Sequence, residues 1–107
     1  MRIQQLAYAR SSDKGDDVDI TLFAYTRDTY RQMVQLLTSA SVHAYLAPMG
    51  IGTVERYEVA GLLALKFVVR NGLDGGGARS IRADNPGKTW SGLLLRLAES
   101  LISERNA

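Results

Sequence analysis

Cysteine is absent from the 107-residue chain, which excludes disulfide staples, thiolate metal sites and a cysteine nucleophile. Histidine occurs once, at His43, and no nucleophile motif accompanies it. Long hydrophobic runs are missing too. The most apolar stretch, Leu62 to Val69, is interrupted by Lys66 and falls far short of the roughly 20 residues that a membrane span needs. The polar start, Met1-Arg2-Ile3-Gln4-Gln5, lacks the apolar segment of a secretory signal, so a cytoplasmic location is expected. Neither charge sign dominates: 13 basic and 11 acidic residues leave a net charge of +2. With aromatics at only 7%, that balance argues against nucleic acid as a partner.

What remains is an ordinary globular composition, 46% hydrophobic and 22% charged. The length fits a single domain over residues 1–107, able to bury roughly 65% of its unfolded surface without metal or disulfide support. Residues 2–9 read as a weak strand, and the wholly polar stretch 10–17 as a loop. Residues 18–25 alternate, with Val18, Ile20, Leu22 and Ala24 on one side and Asp19, Thr21, Phe23 and Tyr25 on the other, the pattern of a half-buried strand. Tyr30, Met33, Val34 and Leu37 recur at helical spacing after a capping Thr26 or Asp28. A short helical piece is expected over 41–50, then strands over 53–59 and 62–70 joined at Ala60-Gly61. The glycine-rich segment 71–77 reads as a loop and 78–83 as a short extra strand. A final helix follows, capped by Asn85 with Pro86 at its first position and an apolar stripe from Trp90 to Leu101.

This order, ββαββα, is a ferredoxin-like α+β unit with its last strand moved to the front. It predicts a two-layer sandwich: an antiparallel sheet with the 18–25 strand central and two helices on one face. Loop 10–17, the segment 41–50, the glycine loop and the start of the last helix then converge at one end. That end is the candidate site. The opposite, helix-free face would carry Phe23, Tyr25, Leu62, Ala64 and Val68, more apolar than a solvated face requires.

Arg10-Ser11-Ser12-Asp13-Lys14-Gly15-Asp16, Val54-Glu55-Arg56-Tyr57-Glu58, Gly75-Gly76-Gly77 and Gly87-Lys88 together resemble the small domain at the C-terminus of AtuA-like proteins of acyclic terpene utilisation, which also occurs as a free-standing protein. Ser12 departs from the family pattern, where glycine is usual. The resemblance implies a ferredoxin-like fold and an accessory role beside a large AtuA-like partner, in a setting where geraniol- and citronellol-type compounds are degraded as coenzyme A thioesters.

The candidate ligand-binding residues are Arg10, Ser11, Asp13, Lys14, Gly15, Asp16, Gly75, Gly76, Gly77 and Lys88. The lysines supply point charges for an anion and the glycines allow close backbone approach. The same residues also fit a hairpin whose aspartates bond backbone N–H groups. If loops 10–17 and 71–77 are neighbours, Asp13 or Asp16 accepting from Gly75–Gly77 would explain the glycines without any ligand. Lys66, Arg70, Arg79 and Arg82 form a basic stretch able to attract coenzyme A phosphates.

The aspartates at 13, 16, 17 and 19 lack the spacing of a calcium loop. Gly87-Lys88-Thr89 lacks the upstream glycine of a phosphate-binding loop, since Arg82 stands there. No metal or other cofactor is therefore expected. The leading reading is a self-associating interaction module partnering a large AtuA-like protein, more a binding subunit than an enzyme. The alternative is a ligand-binding or catalytic domain for an anionic acyl-coenzyme A or carboxylate.

Overall fold

The computed structural model describes residues 2–70 and 88–106. Within them a four-stranded antiparallel sheet is built from β1 (Ala7–Lys14), β2 (Asp17–Ala24), β3 (Val54–Val59) and β4 (Ala64–Val69), in the order β1-β2-β4-β3. Three helices accompany it: α1 (Arg27–Leu36), α2 (Ser39–Leu46) and α3 (Lys88–Arg105). β2 is central, as its clean alternation predicts; every second residue, Val18, Ile20, Leu22 and Ala24, is buried. β4 supplies Leu65, Phe67 and Val69 to the same side. There they meet Tyr30, Met33, Val42, Leu46, Trp90, Leu94 and Ile102 from the helices. Among the described residues the sheet is therefore helix-covered on one face and open on the other, the permuted ferredoxin-like α+β arrangement.

Two expectations need correction. Residues 10–17 are not a loop. β1 runs to Lys14, Lys14 pairs with Asp17, and only Gly15 and Asp16 form the turn. Polar residues suffice here because β1 lies at the sheet edge and needs only β2 as a ladder partner. Gly15 sits at φ +63°, the left-handed region that a two-residue hairpin demands of its first turn position. The chain start is also less regular than a strand over 2–9: Ile3–Gln5 make a single 3-10 turn before β1 begins. In addition, a third helix joins the two expected over the sheet, with Val42 and Leu46 of α2 buried in the shared core.

The helix starts follow local chemistry. Thr26, rather than Asp28, caps α1 by accepting from the Thr29 N–H at 3.2 Å. Thr38 and Ser41 form a reciprocal capping box at α2, each side chain accepting the other's N–H at 3.0 Å. The Ala60-Gly61 connection is a 3-10 turn, Ala60–Leu62, that ends on Leu63 in the left-handed region. The expected loop 71–77, the strand 78–83 and the Asn85-Pro86 cap lie outside the described residues. None of the described helices is long and apolar enough to cross a membrane.

Candidate functional site

Strand register arranges the open face in rows that run across all four strands. Tyr8, Phe23, Ala64 and Val59 form one row; Arg10, Thr21, Lys66 and Tyr57 the next; Ser12, Asp19, Val68 and Glu55 a third. Side chains alternate across a sheet, so the face grades from an apolar end to a charged one. At the apolar end Tyr8 stacks on Phe23, ring centroids 4.9 Å apart and planes 11° apart, and meets Tyr25 at 5.6 Å. Tyr25 and Leu62 are 56% and 65% exposed.

The charged end is organised by Arg70, the residue after β4. Its Nε and Nη2 donate to the two carboxylate oxygens of Glu55 at 2.8 and 3.1 Å, and its Nη1 donates to Asp17 at 2.7 Å. Tyr57 Oη donates to the same Glu55 carboxylate at 2.7 Å. Arg70, and next Tyr57, hold the Glu55 carboxyl below the usual glutamate range. Donating to the Glu55 carboxylate, whose bond and charge both favour its protonated form, Tyr57 is pushed above the usual phenol range. Lys66 pairs with Asp19 at 3.0 Å. Of the expected basic stretch, Arg70 and Lys66 are thus each paired with carboxylates of the chain. Arg79 and Arg82 lie outside the described residues.

The Glu55-Arg56-Tyr57-Glu58 segment divides its work between the two faces. Glu55 and Tyr57 serve Arg70 on the open side. Arg56 turns the other way, donating from Nε to the Leu37 carbonyl at 2.8 Å, from Nη2 to the Val34 carbonyl at 2.7 Å and from Nη1 to Glu58 at 2.9 Å. It satisfies carbonyls at the C-terminus of α1 that the helix itself leaves unpaired. Sequence reasoning saw the motif but not this division, which only the β3 register reveals.

Of the expected convergence at one end of the sheet, the described residues bring together the start of α3 with β1 and the end of β4 with the hairpin, while the glycine loop lies outside them. Ser91, in the first turn of α3, donates to Ser11 of β1 at 3.0 Å. The Gly52 N–H donates to the Arg70 carbonyl at 2.8 Å, and Arg70 reaches Asp17 beside the hairpin turn. The candidate residues do not share one surface, however. Because 10–14 is strand, Arg10 and Ser12 stand on the open face whereas Ser11 and Asp13 alternate to the helix side, with Gly15 and Asp16 at the tip. Arg10, Ser11 and Ser12 border a hollow of about 260 Å³ with Asp19, Thr21 and Lys66. Lys88 opens α3. Gly75, Gly76 and Gly77, and with them the expected contact between the two loops, lie outside the described residues. His43 is exposed on α2.

No curated protein and no solved structure matches the chain. A family model does, over residues 1–100. That match spans the hairpin, the Glu55-Arg56-Tyr57-Glu58 strand and nearly all of α3, so the sheet, its permuted order and its two-sided motif are those of a member of the AtuA ferredoxin-like domain family.

Proposed function

We propose that the chain is an accessory interaction subunit, which assembles with itself and with a large AtuA-like protein through the open face of its sheet. The observation that carries this reading is the apolar end of the face that no described helix covers, where exposed Tyr8, Tyr25 and Val59 surround a half-buried Phe23 and the exposed Leu62 follows in the adjoining turn. Aromatic side chains gathered on a flat, ordered surface are the usual anchors of protein interfaces. The neighbouring Arg70–Glu55–Asp17 network keeps charges at fixed positions, which suits specificity in docking more than capture of a free anion. The setting this implies, by resemblance, is breakdown of acyclic terpenoids as coenzyme A thioesters, with the chain contributing assembly rather than catalysis. Light scattering after size exclusion should show an oligomer at micromolar concentration, and the large partner should co-purify. A Tyr25→Ser/Leu62→Ser variant should stay folded and lose both properties. A monomeric wild type that retains no partner overturns the reading.

A second reading is supported by the meeting of hairpin, Arg70 and α3 at one end: an anionic acyl-coenzyme A or carboxylate bound beside Arg10, Ser11, Asp13 and Lys14. Under it, Asp13→Ala and Lys14→Ala should fold normally but lose acyl-coenzyme A binding in titration calorimetry. Equal binding by wild type and variants removes those residues from any such site.

A further inference from the structure

At the other end of the sheet, α1 and the β3–β4 connection enclose a hollow of about 390 Å³, lined by Arg27, Tyr30, Arg31, Ala60, Gly61 and Leu63. That volume is at the small end of ligand pockets, which start near roughly 300 Å³. Three features of its wall depart from what stability alone would select.

First, Arg27 and Arg31 stand one turn apart in the opening turns of α1, directly after the Thr26 cap. Like charges at that spacing repel, and cations at a helix N-terminus oppose the helix dipole. Neither arginine has an ion-pair partner among the described residues. The nearby acids are engaged elsewhere: Asp28 accepts from Gln32 at 3.3 Å and Glu58 pairs with Arg56 at 2.9 Å. Second, Leu63 lies at φ +52°, the only non-glycine residue described with positive φ. Two backbone bonds hold it there, from its N–H to the Ala60 carbonyl at 3.0 Å and to its carbonyl from the Ala24 N–H at 2.9 Å. Third, Tyr30, Ala60 and Leu63 make the remaining wall largely apolar, and an added Cβ at Gly61 would meet nothing within 4 Å. Departures from local rules that gather at one place mark function more often than accident.

We propose that this hollow binds a small amphiphilic oxyanion, a carboxylate or phosphate monoester whose short apolar body lies against Tyr30, Ala60 and Leu63. Arg27 and Arg31 grip the charged head; guanidinium forks match both headgroups. The hollow adjoins Leu62 of the proposed assembly surface, but Arg27 and Arg31 take no part in that surface, so a failure of the arginine variant to change anion binding leaves the assembly reading untouched.

Amide shifts followed by NMR test it with four probes: hexanoate, hexyl phosphate, hexanol and acetate. Hexanoate or hexyl phosphate should saturate shifts at Arg27, Tyr30, Arg31, Gly61 and Leu63, and the tighter of the two identifies the headgroup. Hexanol and acetate should bind at least about tenfold more weakly, each lacking half of the recognition. The Arg27→Gln/Arg31→Gln variant should lose at least about tenfold in affinity for the anions. Gly61→Leu, which adds bulk at the lining and leaves both arginines in place, should weaken binding as well. Hexanol binding as tightly as hexanoate, or either anion binding undiminished in the arginine variant, overturns the proposal, as does the lack of any localised shift at millimolar probe.

Discussion

Gly15 turns the β1–β2 hairpin at φ +63°, where an added methyl would meet nothing within 4 Å. The cost of Gly15→Ala is therefore conformational alone, about 1 kcal/mol, whereas Gly61→Ala, equally unobstructed but not at positive φ, should be neutral or slightly stabilising. Urea unfolding of the two variants separates conformation from crowding. Glu55 allows a second residue-scale prediction. Its folded carboxyl is held below its ordinary range, by Arg70 first and then Tyr57. Its contribution to stability is thus complete above the unfolded value of about 4.3 and is lost as pH falls through the lower folded one. Tyr57, raised by the same bond, contributes below about 10 and is lost as pH rises through its folded value. Carbon-detected NMR titration should find the Glu55 carboxyl moved back toward its ordinary range in Tyr57→Phe, and further back in Arg70→Ala. An unmoved Glu55 in both variants would mean that the network does not persist in solution.

At the scale of elements, Arg56 joins the edge strand β3 to the end of α1 through two carbonyls. Arg56→Ala should cost about 3 kcal/mol, the loss of two charged hydrogen bonds at partly buried carbonyls. Arg56→Lys should fall between, since an ammonium keeps the charge at the helix C-terminus but not the fork. Hydrogen exchange should locate the weakening in the last turn of α1. How far the elements could be read from sequence follows from their patterns. β2, α1 and α3 carry strong periodicity because each buries one face, and with them the strand order and the apolar end of the open face were legible. β1 was cut short because Arg10 to Lys14 carry no apolar signal; an edge strand is held there by backbone pairing, which composition does not show. The Arg70 network was hidden for another reason. Asp17 and Arg70 are 53 positions apart and become neighbours only through the β2–β4 register, so two oppositely charged groups looked like separate features.

At the scale of the whole molecule, the chain closes on itself. The Ile3 N–H donates to Glu99 of α3 at 2.8 Å, across 96 positions. The sheet order has a further consequence, and it concerns time rather than stability. β1 with β2 and β3 with β4 are each joined by short connections and can pair quickly. β2 and β4 can meet only after about forty intervening residues have been brought round, and that closure is paid in chain entropy before the core rewards it. Folding should therefore be timed by the encounter of two ready-made hairpins. Trimming Leu22 or Leu65, which face each other across that seam, to alanine should slow refolding in stopped-flow experiments.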